Sequence, residues 1–320
     1  MRVMKDRSKL TTEKRNRATR DIDRRSTLEI VDIINAEDAK VVPAVRKERK
    51  RIAKAAEIIA DSFRRGGRLF YVGCGTSGRL GVLDASECPP TFGVTPSMVQ
   101  GIIAGGRRAL VRSSEGMEDH EEGGAAAIDK RHVKPDDTVV GIAACGMTPY
   151  VHGAMRRARE IGAATVFITC SPQVKREVKA DVTICPVVGA EVVTGSTRMK
   201  AGTATKLVLN TLTTTAMIRT GKVYGNLMVD LSAKSEKLRD RAERILQACT
   251  GVSRPRARKL LKRAHGDAKI AIVMYFRGIG CEDARKLLAR SEGFLRDAIE
   301  KKGSGPFCAK HPPGLQAKGS

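Results

Sequence analysis

The clearest chemical signal lies in residues 67–90, GRLFYVGCGTSGRLGVLDASECPP, where glycines and hydroxyl residues follow a short apolar run. Residues 69–72 are predicted to form a buried strand, residues 73–78 a tight turn and residues 79–87 a helix. Such a turn directs several backbone N–H groups and a helix N-terminus at one point. The hydroxyls of Thr76 and Ser77, beside the small Gly78, suit the same point. The sequence therefore predicts a site for a phosphate or another small anion.

A carboxylate follows on the same predicted helix. Glu87 stands just before Pro89 and Pro90, which are expected to end the helix. Partial burial there would favour the protonated carboxyl, so that Glu87 could act as a general acid. A glutamate at a helix end is more ordinarily a solvated surface residue, and that alternative stays open.

A second group of glutamates has the spacing of one helical face. Its members are Glu115, Glu118 and Glu122. Spacings of three and four residues between like charges are typical of a solvated face. Nothing in the local pattern distinguishes Glu118 from the other two.

Two further loops of small and hydroxyl residues follow later predicted strands. Residues 144–149, ACGMTP, contain the candidate ligand residues Cys145, Gly146 and Thr148. Because ligands of open α/β sheets bind beyond the carboxyl ends of the strands, this loop is expected to join the first around one ligand. The alternative is an ordinary turn from strand to helix.

The third loop, GAEVVTGSTR at residues 189–198, leads into a long predicted helix. Helix capping explains one hydroxyl at such a position but not three. The loop is therefore expected to contact an anion or the hydroxyls of a sugar. Its candidate ligand residues are Glu191, Thr194, Ser196, Thr197 and Lys200.

Other kinds of site are disfavoured. Residues 73–78 match G-x-G-x-x-G, but the second predicted strand ends in Ala104-Gly105-Gly106 without the acidic residue that holds a dinucleotide ribose. The five histidines form no metal-binding pair, and the eight cysteines are scattered without a C-x-x-C. We expect no metal site and a reduced, cytoplasmic environment.

The composition also limits the partners. The formal net charge is +24, which suggests nucleic-acid binding, but the basic residues are dispersed and aromatics make up only 3% of the chain. We expect a generally cationic surface, with steering of an anionic substrate as a weaker functional reading. No apolar run reaches the roughly 18–20 residues of a membrane span.

The elements that must position these loops alternate between strand and helix. Short apolar runs without a period of two are typical of strands buried on both faces of a parallel sheet. The predicted fold is an α/β, doubly wound, mainly parallel five-stranded sheet of flavodoxin-like type with a small C-terminal helical module. The predicted strands are residues 69–72, 98–103, 138–142, 165–169 and 182–187.

The expected organisation has four parts. Residues 1–41 form an N-terminal arm with a short helix capped by Thr27, residues 42–235 the sheet domain, residues 236–300 the helical module and residues 301–320 a disordered tail. Residues 42–65 are predicted to form one long amphipathic helix, and a short helix is predicted near Gln173.

Taken together, these segments resemble the sugar isomerase (SIS) domain, and within it the N-acetylmuramic acid 6-phosphate etherases. The resemblance covers roughly residues 12–300, including a C-terminal module of UBA-like type. The most specific stretches are DASECPPTFG and TGSTRMKAGTA, and the other matching stretches include DIDRRSTLEIV, GIIAGG, EGMEDHEEGG, GIAACGMTPYV and GKVYGNLMVD.

The resemblance implies a lyase that acts on a phosphorylated amino sugar in cell-wall recycling. The D-lactyl ether at C3 of N-acetylmuramic acid 6-phosphate is cleaved by elimination and hydration, giving N-acetylglucosamine 6-phosphate and D-lactate. The family's acid falls on Glu87, and its base, in the EGxED motif, on Glu118. No cofactor and no metal are implied, and family members are homodimers with the site near the interface.

The second loop departs from the family pattern. It usually reads ASGRTP, so that Cys145 replaces a serine and Met147 an arginine here, and Cys74 stands where alanine is usual. A thiol is a weak hydrogen-bond donor, so these changes bear on phosphosugar affinity. They motivate an alternative, a non-catalytic sugar-phosphate-binding regulator of the same fold. An aldose–ketose isomerase would share the fold but would not explain DASECPP.

Overall fold

The computed structural model describes residues 7–112, 116–230 and 236–300. The described residues form two compact units. The first runs to Pro90 and resumes from Val94 to Ala216, and the second comprises Thr91–Gly93 and the described residues from Met217 onward. No helix of the described chain is long and apolar enough to cross a membrane.

The first unit is built on a parallel sheet in the order β2-β1-β3-β4-β5. The strands are β1 Leu69–Gly73, β2 Val99–Ile103, β3 Thr138–Ile142, β4 Ala164–Ile168 and β5 Val182–Ile184. Every residue of β1 and β3 is buried, as their continuous apolar pattern predicts. Gly73, the last residue of β1, pairs with Ile103 of β2 and with Ile142 of β3. The carboxyl ends of these three strands therefore lie side by side. The predicted five-stranded parallel sheet is confirmed.

Helices cover both faces of this sheet. The α-helices described before the second unit are α1 Thr27–Asp38, α2 Val41–Lys47, α3 Arg49–Arg64, α4 Gly75–Phe92, α5 Arg108–Val111, α6 Glu121–Lys130, α7 Pro149–Ile161 and α8 Lys200–Arg219. Adjacent residues of a strand point to opposite faces. Phe70 packs with α6 and α7 on one face of the sheet. Tyr71 contacts α4 on the opposite face.

The helices before the sheet differ from the prediction in two details. Ser26, not Thr27, caps α1, because its hydroxyl accepts from the Glu29 N–H while the Glu29 carboxylate accepts from the Ser26 N–H. The long helix predicted at 42–65 is divided into α2 and α3 at Glu48. There the Glu48 carboxylate accepts a hydrogen bond from the Cys185 N–H at 3.2 Å, just beyond β5.

Helix α4 is longer at both ends than predicted. It begins at Gly75 inside the predicted turn and continues through Pro89 and Pro90, where the sequence predicts its end. The prolines remove two helical hydrogen bonds, at a typical cost of about 3 kcal/mol for an interior proline. Cys88 is buried in this turn, and its thiol donates to the Asp84 carbonyl at 3.3 Å, which offsets part of that cost.

The predicted short helix near Gln173 is wrong, because residues 172–178 form turns and bends. The N-terminal arm packs on the sheet unit. Leu10 is fully buried against Met147 and Val174, and the Thr19 hydroxyl donates to the Val192 carbonyl at 2.8 Å.

The second unit consists of a short antiparallel hairpin and five helices. They are β6 Val223–Tyr224, β7 Leu227–Met228, α9 Glu236–Thr250, α10 Arg254–Arg263, α11 Ala268–Arg277, α12 Cys281–Arg290 and α13 Leu295–Glu300. Val229 is fully buried in the core of these helices. The unit therefore begins before residue 236, the boundary expected from the sequence, and includes a hairpin that the sequence did not predict. The tail expected at 301–320 lies outside the described residues.

Candidate functional site

The first candidate loop is the N-terminal turn of α4. Gly78 is pressed against β1: a Cβ on it would lie 2.7 Å from the Gly73 carbonyl oxygen and 2.7 Å from Ile103 Cγ1. Its N–H already donates to the Cys74 carbonyl at 3.2 Å. Gly78 therefore lets the helix approach the strand. The first-turn N–H groups of α4 belong to Gly75, Thr76 and Ser77, and a Cβ on Gly75 would meet only open space.

The second loop is held in place from outside its own sequence. Gly146 has a φ of 80°, and a Cβ there would lie 2.1 Å from Val174 Cγ2, so glycine is required. The imidazole Nε2 of His152 lies 2.8 Å from the Gly146 carbonyl oxygen, and its ring meets Phe167 edge-on. Sequence reasoning missed His152, because nothing in its local pattern reveals a contact back to residue 146.

The third loop contains two charged candidates that face inward. Glu191 is fully buried, and its carboxylate accepts from the N–H groups of Lys200 and Ala201, at 3.0 and 2.9 Å. Burial raises the pKa of Glu191, although these backbone bonds oppose the shift. Glu191 thus caps the N-terminus of α8.

Lys200 is likewise occupied within the protein. Its side chain is 1% exposed, and its ammonium lies 2.5 Å from Glu37 Oε2. Sequence reasoning made Lys200 a candidate ligand residue and had no signal for Glu37, which is 163 residues away. In the described structure this lysine joins α1 to the start of α8.

The candidate hydroxyls differ from Glu191 and Lys200 in their hydrogen bonding. None of them makes a side-chain hydrogen bond to a residue that the structure describes, and all except exposed Thr194 are half-buried. They are the hydroxyls of Thr76, Ser77, Thr148, Thr194, Ser196 and Thr197. By contrast, the hydroxyls of Thr205 and Thr213 on α8 donate to backbone carbonyls of their own helix. Half-buried hydroxyls without partners are available to a ligand.

The first and third loops meet at the start of α8. A Cβ on Gly202 would lie 3.6 Å from Thr76 Cγ2 and 3.4 Å from the Thr197 carbonyl oxygen. The second loop lies beside the first, because β1 and β3 are neighbours and Gly73 pairs with Ile142. The structure thus brings the three hydroxyl-bearing loops to one edge of the sheet.

Glu118 lies close to this edge. Gly116, with a φ of 81°, turns the chain into the 3₁₀ turn Met117–Asp119 that carries it. The pKa of the Cys74 thiol is raised to about 12, first by burial and then by the charges of Glu118, the neighbouring Cys145 and Asp119. Glu118 itself is exposed and has no hydrogen-bond partner among the described residues. Glu115, which shared its predicted face, lies outside the described residues.

Glu87 is placed differently. Eleven residues of α4 separate it from Thr76, which is about 16 Å along a helix axis. Its side chain is exposed, so the burial expected from the sequence is not found in a single copy of the chain. The reason is that α4 continues through the prolines with Asp84 and Cys88 turned inward. Within one chain, Glu87 does not join the three loops.

Metal binding has no support in the described part of the chain, where no group of three or more His, Cys, Asp or Glu side chains could hold an ion. The expected absence of a metal and of a cofactor stays a prediction.

The chain matches the family model of the glucokinase regulatory protein N-terminal SIS domain over residues 51–159. It matches the model of a UBA-like domain over residues 245–278. Among solved structures, phosphoheptose isomerase from Neisseria gonorrhoeae aligns with a TM-score of 0.43 at 16% identity, over 58% of this chain and 97% of that chain. That similarity is too low to bear on function.

Three curated relatives are much more similar, and each is named N-acetylmuramic acid 6-phosphate etherase. The protein of Clostridium beijerinckii is 51% identical, over 91% of this chain and 96% of its own. Those of Nostoc sp. and Salinibacter ruber are 52% and 53% identical, over 93% and 91% of this chain and 97% and 94% of their own. Identity at this level over nearly the whole length shows that the chain belongs to the N-acetylmuramic acid 6-phosphate etherase family.

Proposed function

We propose that this protein is a carbon–oxygen lyase that cleaves the D-lactyl ether of N-acetylmuramic acid 6-phosphate. The products are N-acetylglucosamine 6-phosphate and D-lactate, and the reaction belongs to the recycling of cell-wall amino sugars. The observation that carries this proposal is the set of etherases about half identical to this chain over more than nine-tenths of its length. We expect the protein to work in the cytoplasm without a metal or cofactor.

The two glutamates have complementary roles in this reaction. Glu118 removes the proton from C2, and the electrons of that bond form the C2–C3 double bond as the C3–O bond breaks. Glu87 gives a proton to the departing lactate oxygen. Water then adds to C3 and a proton returns to C2, so the sum is hydrolysis of the ether. Each positioned acid or base typically contributes about 10²–10⁴-fold to such a rate.

The phosphate is expected at the three loops. The first-turn N–H groups of α4 and the hydroxyls without partners supply neutral donors, and the N-terminus of α4 supplies a favourable field. Gly78, Gly146, Glu191 and Lys200 serve as the frame that holds these donors, and Cys145 takes the place of a serine donor. This division of roles follows from the partners that each group already has.

We further propose that the enzyme is a homodimer in which Glu87 of one copy serves the loops of the other. The length of α4 supports this, because about 16 Å exceeds the reach of one hexose 6-phosphate. Exposed apolar side chains also flank the candidate residues: Leu83, one turn before Glu87, Met117 beside Glu118, and Val193 beside Thr194. In the proposed dimer the partner chain covers these three apolar side chains.

The decisive experiment is an assay of D-lactate released from N-acetylmuramic acid 6-phosphate, with Glu118→Gln as the matched control. The wild-type protein should release lactate, and Glu118→Gln should be slower by about 10²–10⁴-fold, because the amide cannot accept the C2 proton. Wild-type protein that binds the substrate in calorimetry but releases no lactate would reject the lyase and favour a sugar-phosphate-binding regulator.

A further inference from the structure

A buried carboxylate lies one helical turn before Glu87. Asp84 is 5% exposed, and no cationic side chain bonds to it among the described residues. Its Oδ2 accepts from the Tyr71 hydroxyl of β1 at 2.8 Å. Its Oδ1 accepts from Asn210 Nδ2 at 2.6 Å and from the Thr213 hydroxyl at 3.3 Å, both on α8. Asp84 therefore links α4 to two other elements of the same unit.

The Tyr71 hydroxyl remains a hydrogen-bond donor to Asp84. The pKa of Tyr71 is well above its usual value of 10, first because the phenol is buried and then because of the Asp84 charge, so the hydroxyl keeps its proton. A buried carboxylate that lost one of these bonds would be left partly unsatisfied, which is costly. The three bonds consequently hold Asp84 in one position relative to β1 and α8.

The three bonds of Asp84 lie beyond the glycine contacts that hold the first half of α4 against the sheet. Glycines seat the first half of the helix on the sheet, since a Cβ on Gly78 or Gly81 would clash with β1 and one on Gly101 would clash with Val82. All of these contacts precede Asp84. Beyond it, Pro89 and Pro90 have no N–H, so the carbonyls of Ala85 and Ser86 lack their usual helical partners.

We propose that Asp84 is a positioning residue that fixes the turn of α4 carrying Glu87 and thereby orients the Glu87 carboxyl toward the departing oxygen. Asp84 and Glu87 belong to the same turn of α4, so a shift of the helix backbone at Asp84 also moves Glu87. The inference rests on the proposed lyase function and on Glu87 as its acid. Asp84 touches no substrate and acts only through Glu87.

The test compares two leaving groups in full-length protein. The first substrate is N-acetylmuramic acid 6-phosphate, whose ether oxygen needs a proton to depart. The second is the analogue with fluoride in place of the lactyl ether, from which fluoride leaves without a proton once C2 is deprotonated. Lactate and fluoride release report these two rates.

Asp84→Asn should slow lactate release about 10- to 100-fold, because small misplacements of a catalytic group cost rates of this size. Fluoride release should stay within about threefold of wild type, since it depends on Glu118 and not on an acid.

Tyr71→Phe, which removes one bond to Asp84 and keeps the ring, should show the same selectivity between the two substrates more weakly. It tests the proposal if Asp84→Asn does not fold. Asp136→Asn, at an exposed aspartate paired with Arg65, is the matched control and should change neither rate.

A purely structural role would lower both rates by the same factor, as the folded fraction falls, and that result would overturn the proposal. Unchanged lactate release in folded Asp84→Asn would also overturn it. Wild-type protein that releases neither lactate nor fluoride would instead reject the proposed function itself.

Discussion

At the scale of single residues, the two candidate catalytic glutamates occupy different surroundings. Glu118 stands on a glycine-initiated turn beside Cys74 and the three loops, whereas Glu87 is an exposed residue in the second half of α4. A base that is near the loops can work within its own chain. An acid that must keep its proton needs a drier environment than the exposed position of Glu87 in one copy, and a covering partner chain would supply it.

These surroundings lead to a prediction about proton exchange at C2 in deuterated water. Glu118→Gln should lose both lactate release and C2 exchange, because the amide accepts no proton. Glu87→Gln should lose lactate release by about 10²–10⁴-fold while retaining C2 exchange, because the base is intact. Mass spectrometry of recovered substrate measures the exchange. Exchange at the wild-type rate in Glu118→Gln would contradict the assignment of the base.

At the scale of elements, the first helix and the third loop are joined by a buried ion pair. Glu37, near the end of α1, bonds to Lys200 at the start of α8 and to Lys40 on the surface, each at 2.5 Å. Burial pushes the pKa of Glu37 upward, but the bonds from Lys200 and Lys40 outweigh it and hold the pKa below its usual 4.5. The start of α8, whose first N–H groups donate to Glu191, is thus anchored to the N-terminal arm.

Glu37→Gln should lower the free energy of unfolding by about 3 kcal/mol at pH 7, because it leaves the Lys200 ammonium buried without its partner. Since the folded-state pKa is depressed, the carboxylate stabilises the protein above about pH 4.5 and its contribution is lost as the pH falls through that lower pKa. The difference between wild type and variant should therefore shrink below pH 4.5. Urea denaturation at several pH values measures it.

Two further variants make this test specific. The double variant Glu37→Gln with Lys200→Met should recover part of the lost stability, because no unpaired charge is then buried. Asp61→Asn breaks an exposed pair with Arg64 and should change little. Equal losses in Glu37→Gln and Asp61→Asn would show that burial of the Glu37–Lys200 pair is not what stabilises the arm.

At the scale of the whole molecule, the net charge bears on how the protein meets its substrate and a second copy of itself. The separation of Glu87 from the three loops bears on the same dimer. The net charge of +24 favours the approach of an anionic sugar phosphate, and it disfavours close association of two copies except where apolar surface meets. The exposed Leu83, Met117 and Val193 provide such surface beside the candidate residues. A dimer that covers them would bring Glu87 of one copy toward the loops of its partner.

This arrangement predicts complementation between two inactive variants. Glu87→Gln and Glu118→Gln, co-expressed in equal amounts, should form mixed dimers in which one site has both glutamates, so that about a quarter of wild-type lactate release returns. Each variant alone supplies the background. A mixture no more active than the two separate variants would show that both glutamates act within one chain, and a monomer by sedimentation would reject the dimer.

The sequence by itself determined the sheet, because a continuous apolar run of five residues, such as Leu69–Gly73 or Thr138–Ile142, is typical of a strand buried on both faces of a parallel sheet. It also determined the family, through motifs that need no knowledge of contacts, and the three loops at one edge, through the rule for parallel strands. Only the tertiary structure decided which motif residues face a ligand. Glu191 and Lys200 turn inward because their partners, the α8 terminus and Glu37, become neighbours only when distant segments pack. The bonds of Asp84 to Tyr71 and Asn210 likewise join segments far apart in the sequence, and no local propensity contains them.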